Sequence, residues 1–315
     1  MIQRRKQMIK SSKQYLVIDG EGLLHQAFHK FEKFRSSDGT PTGAIFGFIR
    51  SLKMYLYRFS PDDVYVVFDN GHSKHRTEIL GSYKEHRKRI DVDYDSLQYQ
   101  KKQIQSLLSN LGIKYIYDKA RKCNYEGDDF IAHLILNVIP KKSKITIITA
   151  DKDFNQLLRS TRIKIYNPIK DILIYETSCK AIFGYTASET VDYLSLLGDS
   201  SDDIPGYPGM GPVKTRRFLD KYGSIKNYLE GDEELRDDPK HVRMEEIYSK
   251  NKLLIDLKYF CQKYPLKLKD TPIVEPSKFS KKYLEKVANE LDIQSFSEAS
   301  LIKTFKDQYQ KTYGK

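Results

Sequence analysis

Cysteine is scarce in this chain of 315 residues: Cys123, Cys179 and Cys261 are few, widely spaced and form no C-x-x-C pair. That excludes a disulfide scaffold, argues against a structural zinc site and fits a reducing compartment such as the cytoplasm. No apolar run reaches the roughly 20 residues of a membrane-spanning helix, so no membrane is expected as a partner. The N-terminus MIQRRKQMIKSSKQ is basic, but only residues 15–18 follow before Asp19, too few for the apolar part of a secretory signal. A basic tail is expected there. A Pro/Gly/Ser-rich linker, an internal repeat and a low-complexity segment are also missing, so the parts of the chain should pack closely.

What is present is a core and an excess of positive charge. The chain is 39% hydrophobic, enough to fold, and carries a formal charge of +12. That balance favours an anionic partner, nucleic acid above all, although a lysine-rich proteome would give the same number. Short apolar runs at 15–19 (YLVID), 64–69 (VYVVFD), 113–117 (IKYIY) and 144–151 (KITIITAD) predict buried strands. Between the first two, Ile45, Phe48, Ile49, Leu52, Tyr55, Leu56 and Phe59 recur at helical spacing. A basic, aromatic stretch covers about 74–100, and residues 101–111 predict a helix. RIKIYN and ILIYE predict a hairpin or edge strands. The alternation predicts an α/β fold with a mainly parallel central sheet over 1–185. Helices should dominate 186–315, ending in a lysine-rich helical segment from 277.

Acidic residues fall at telling places. Asp19, Asp69 and Asp151 each end a predicted strand, and in an open α/β sheet those ends meet at one edge, where ligands bind. A helix cap would account for any one of them; three of three is harder to explain that way. Asp153 lies two residues past Asp151. Glu126, Asp128 and Asp129 crowd into YEGDDFIA at the start of a helix. Asp199 and Asp202 follow the helix marked by Tyr193, Leu194, Leu196 and Leu197, at the end where the dipole disfavours an acid. Gathered in one cleft, these nine carboxylates could not all stay ionised without cations. Oxygen-only ligands suit the hard ions Mg²⁺ or Mn²⁺. So many ligands suggest two or more ions, an arrangement that serves phosphodiester hydrolysis.

The segments LVIDG, VVFD, YEGDDFIA, ITADKDFNQLL and LLGDSSDDIPGYPGMGPVKT stand in the order and spacing of the 5′-nuclease family. That family includes flap endonucleases, phage 5′-exonucleases and the 5′-nuclease domain of bacterial DNA polymerase I. The resemblance covers about 15–257. It implies a PIN-like nuclease domain over 1–185 with a helical arch at about 74–100, and a helix–three-turn–helix DNA-binding region within 186–315. By the same resemblance Asp19, Asp69, Glu126 and Asp128 hold the tighter metal site. Asp151, Asp153, Asp199 and Asp202 hold the second, and Asp129 is a shared or outer ligand. Asp203 stands where many members carry Asn, adding negative charge beside the cleft.

In 75–89, HRTEILGSYKEHRKR, the resemblance places Tyr83, Lys84 and Arg87 on a helical face, with Arg76 two turns back. Lys84 and Arg87 would stabilise charge on the scissile phosphate, and Tyr83 would stack on a base. In IPGYPGMGPVKTRRFL, Gly206, Gly209 and Gly211 would let the backbone turn and expose its N–H groups. Lys214, Thr215, Arg216 and Arg217 would contact phosphates, and the loop would also take K⁺. His25 and His29, spaced i, i+4, and Cys123 are expected to pack rather than to bind metal. The implied activity is metal-dependent hydrolysis of DNA at 5′ ends, flaps and nicks, or of RNA in an RNA–DNA hybrid. The enzyme would act as a monomer in the cytoplasm of a bacterium or phage-infected cell. An inactive duplex-binding module of the same fold is the alternative; it would be expected to have lost some of these acids.

Overall fold

The computed structural model describes residues 12–69, 71–85, 93–119, 124–158, 161–231 and 238–314. Arg87 and Cys123 lie outside them. The first half runs β1 (Gln14–Asp19), α1 (Gly20–Lys30), α2 (Gly43–Phe59), β2 (Asp63–Val67), α3 (Lys74–Ile79), α4 (Tyr94–Leu111), β3 (Lys114–Ile116), α5 (Gly127–His133), β4 (Lys144–Ile148), β5 (Ile163–Asn167) and β6 (Ile172–Ile174). Then come α6 (Glu176–Phe183), α7 (Thr190–Leu197), β7 (Gly198–Asp199), β8 (Ile204–Pro205), α8 (Pro212–Tyr222), α9 (Ile225–Glu230), α10 (Pro239–Ile255) and α11 (Leu257–Lys263). The chain closes with β9 (Ile273–Val274), α12 (Lys281–Glu290) and α13 (Ala299–Tyr313).

The main sheet has the order β6-β5-β4-β1-β2-β3-β9, parallel except for β6 and β9 at its edges. The chain builds outward from β1 to β3, then restarts on the other side of β1 with β4. The crevice beyond the carboxyl ends of β1 and β4 is therefore the switch point of the sheet. Side chains alternate between its faces as a pleated strand requires. Tyr15, Val17, Tyr65, Val67, Ile145 and Ile147 join the core beneath α5, α10 and α11. Leu16, Ile18, Val64 and Val66 face α1, α2, α4, α12 and α13.

Two features depart from the expectations. The basic stretch is not one helix: α3 stops at Ile79, Leu80 is extended, and Tyr83 and Lys84 sit in a turn where Lys84 adopts φ 56°. Its backbone N–H donates to the Asp202 carbonyl at 3.1 Å, a bond that an unbroken helix would not release. The C-terminal segment returns to the first half of the chain. Strand β9 pairs with β3, Phe305 and Leu284 are fully buried in the core shared with α2 and α4, and Ser280 N–H bonds the Asn110 carbonyl at 2.9 Å. That pairing is set by contacts too distant in sequence for periodicity to report.

Candidate active site

Strand ends supply one wall of the crevice. Asp19 closes β1 and caps α1, accepting from Gly22 N–H at 2.8 Å. A Cβ at Gly22 would stand 2.5 Å from its carboxylate, so a larger residue there would displace the Asp19 side chain. Thr149, just past β4, joins two strand ends: its hydroxyl donates to Asp19 Oδ2 at 3.0 Å and accepts from Asp151 N–H at 3.1 Å. Asp151 in turn accepts from Asp153 N–H at 2.8 Å. Asp69, two residues beyond β2, accepts from Gly127 N–H at the start of α5. Strands β2 and β4 end two and three residues before their acids rather than on them.

The carboxyls on this wall are crowded. Burial, then Glu126, pushes Asp69 up to about 7; burial, and after it Asp151 among the neighbouring acids, pushes Asp19 up to about 6. Asp128 and Asp153 are raised well above the carboxylate range, first by burial and then by Asp151. Asp153 Oδ1 is buried with no hydrogen-bond partner. Each acid feels the field of others from different elements, so the structure does bring the sequence-separated acids together.

The other wall is balanced by cations. Glu126 is 2% exposed; its Oε1 accepts from Ser73 N–H, and its Oε2 from the Tyr83 hydroxyl and the Lys84 ammonium, each at 2.9 Å. Burial would raise it, but Lys84 and then Arg76 hold it down to about 2. Lys84 also lies 3.7 Å from Asp202. Asp129 is fully buried and takes a two-pronged ion pair from Arg76 at 2.6 and 2.7 Å. Arg76 therefore departs from its expected place at a phosphate, and Asp129 is closed to direct sharing of an ion. The oxygens of Asp129 are occupied, and Arg76, 2% exposed, is packed over Phe260 and bonded to the Leu254 carbonyl, out of reach of a phosphate. Tyr83 is likewise buried at 5%, so its ring has no free face for a base in this arrangement. Asp199 accepts from Ser201 and lies 3.1 Å from Lys152 Nζ. Burial opposes its ionisation, but Ser201 and Lys152 prevail and lower its pKa.

Among the described residues, no three acidic, histidine or cysteine side chains stand close enough to enclose one ion. Lys84 and Lys152 stand among the acids, paired with Glu126 and Asp199. The donor set nevertheless fits a hard divalent ion. All its atoms are oxygens, several carboxyls are raised by burial and by one another, and one buried oxygen is orphaned. His25 and His29 are no part of it; His25 faces Glu21 at the surface.

The glycine-rich segment follows Asp203 as expected, but its residues divide. Gly206 passes so close to α7 that a Cβ would lie 2.4 Å from the Leu197 carbonyl, and Gly209 adopts φ 78° in open space. Gly211 precedes α8, whose Pro212 opens the helix. Lys214 and Arg217 are exposed. Arg216 lies over Gly184, where a Cβ would meet its guanidinium at 2.3 Å, and Thr215 is fully buried, so its side chain cannot reach a phosphate. Residues that the sequence did not single out support the site. Asn251 donates to the Ser195 and Pro205 carbonyls at 3.0 and 2.8 Å, pinning the glycine turn to α7. Lys152 was legible, standing between Asp151 and Asp153.

Comparison with known proteins defines the family and the fold. The model of the 5′-3′ exonuclease N-terminal resolvase-like domain matches residues 14–184, and that of the 5′-3′ exonuclease C-terminal SAM fold matches 185–278. The 5′-3′ exonuclease of Aquifex aeolicus is 31% identical over 80% of this chain and 86% of its own length. DNA polymerase I of Thermus aquaticus is 33% identical over 70% of this chain, which spans only 25% of that protein. A bacteriophage T5 flap endonuclease, solved in a pseudo-enzyme–product complex with DNA and metal ions, shares the fold with a TM-score of 0.64 at 16% identity, covering 95% of this chain and 99% of its own. The catalytic core of Rad2 in complex with DNA substrate superposes with a TM-score of 0.58 at 21% identity, covering 93% of each chain. The chain belongs to the 5′-3′ exonuclease family. It is a 5′-nuclease.

Proposed function

We propose that this chain hydrolyses DNA phosphodiesters at 5′ ends, flaps and nicks, leaving 5′-phosphate and 3′-hydroxyl ends, with RNA in an RNA–DNA hybrid as a further substrate. The observation that carries this reading is the convergence at the sheet's switch point of carboxyls that end β1, follow β2 and β4 and open α5, with Asp19 and Asp151 joined through Thr149 and Asp69 bonded to Gly127 N–H, under an excess of basic charge. Two divalent ions, Mg²⁺ or Mn²⁺, would activate water and stabilise the leaving oxygen there. Asp19, Asp69 and Asp128 would hold them on one side, and Asp151, Asp153, Asp199 and Asp202 on the other. Glu126 would contribute once Lys84 turns away.

Lys84, 4% exposed and bonded to Glu126, would meet a phosphate only on leaving that carboxylate. An arriving phosphate offers it a competing anion. Tyr83 would leave Glu126 in the same exchange. Lys214 and Arg217 would grip the duplex backbone without reading its sequence, and carbonyls of the turn at 206–211 would take K⁺. The T5 enzyme's description as a flap endonuclease complexed with DNA and metal ions supports this reading. We place the protein in the cytoplasm, acting as a monomer. The test is cleavage of end-labelled flap, nicked and blunt duplexes with and without Mg²⁺. Release of 5′-terminal products only with metal is expected; metal-independent cleavage, or none on any 5′-ended substrate, would refute it.

A further inference from the structure

We propose that Lys101 and Glu21 form a two-sided clamp on the Asp69 peptide, making Lys101 a positioning residue for a carboxylate of the cleft. Lys101 lies in α4 and is 4% exposed, with its ammonium 5.6 and 5.3 Å from the ring centres of Phe68 and Tyr117. A buried ammonium is costly unless fully engaged. Here it donates to Glu21 Oε2 at 2.7 Å and to the Asp69 carbonyl at 2.6 Å. The same Glu21 oxygen accepts from the Asp69 backbone N–H at 3.3 Å. Both polar groups of Asp69 are thus held from one point, while its side chain is held by Gly127 N–H.

The arrangement ties three elements. Glu21 belongs to the first turn of α1, two residues after Asp19; Asp69 follows β2; Lys101 comes from neither strand. Without the ammonium, the Glu21 carboxylate would face Asp69 and Asp19 with His25, charged only when protonated, 3.7 Å from its other oxygen, and repulsion would push the strand-end loops apart. Lys101 therefore sets the spacing of two acids it does not itself touch through their side chains. As a device for metal binding, the clamp rests on the reading under Proposed function; as a restraint on the peptide, it does not.

The test uses the full chain with Lys101→Met, which keeps the stem and removes the charge, Lys101→Arg, and Glu21→Gln. Amide hydrogen exchange at Asp69 in chelator should quicken by about tenfold or more in Lys101→Met. Binding of Mn²⁺ without DNA, followed by electron paramagnetic resonance of the free ion, should weaken on the order of 10- to 100-fold. Lys101→Arg should recover most of both. Unchanged Asp69 exchange in Lys101→Met, or in Glu21→Gln if the first variant does not fold, would overturn the clamp. Faster exchange with unchanged Mn²⁺ affinity would overturn the positioning role. If the unmodified protein binds no Mn²⁺, the metal reading fails while the exchange measurement still decides the clamp.

Discussion

The two walls of the cleft use the same side chains to opposite ends. On the strand-end wall, Asp19 and Asp69 are buried beside other acids and held above the usual carboxylate range. On the facing wall, Glu126 and Asp129 are more deeply buried, yet Lys84 and Arg76 keep Glu126 far below that range, and Arg76 binds both oxygens of Asp129. Burial alone therefore does not mark a metal ligand. What differs between the two walls is how much opposite charge the protein itself already provides.

That contrast can be broken by substitution. The largest effect on activity is expected from Asp69→Asn or Asp128→Asn. A ligand that stabilises several kcal/mol of transition-state charge should cost about a thousandfold or more in cleavage. Thermal stability in chelator should be unchanged or slightly raised, because a repelling charge is gone; a lowered melting temperature with normal turnover would reverse the assignment. Asp129→Asn should do the opposite. It leaves the Arg76 guanidinium buried without its partner and should cost about 3–5 kcal/mol of stability, read from urea unfolding. Lys84→Ala should lower kcat by roughly 10²–10³ with a smaller change in KM, and an effect confined to KM would assign Lys84 to ground-state binding.

The smallest expected effect sharpens the comparison by pH. The carboxyls of Asp19 and Asp69 titrate higher folded than unfolded, at about 6 and about 7 against 3.8. Their stabilising contribution is full below the unfolded value and is lost as pH rises through the folded ones. In chelator, stability should therefore increase on the order of 1–2 kcal/mol as pH falls from about 8 to about 6. Mg²⁺ should abolish that slope, and a slope that persists with Mg²⁺ would detach it from these acids.

Local pattern made much of this legible. Alternating apolar runs marked β1, β2, β3 and β4, and the helical spacing from Ile45 to Phe59 marked α2, because each element's own burial writes that period into its residues. The acids after the strands were visible for the same reason: the end of an apolar run shows where the sheet edge lies. Whether Asp129 faces the cleft or Arg76 was not legible, because YEGDD looks alike either way and Arg76 lies 53 residues away. Thr215 was taken with its basic neighbours, but one helical step turns it inward. Lys101 carried no signal, since a lysine on an amphipathic helix is ordinarily solvated.

The order of the elements, the edge at which the acids collect and the chemistry their oxygens favour were determined by the sequence itself, because each depends on residues near one another in the chain. Which acids keep a free oxygen, which cation stands beside them, and where the C-terminal helices dock were decided only by the tertiary structure. Charge compensation acts through space over a few ångströms, and neighbours at that range can come from anywhere along the polypeptide.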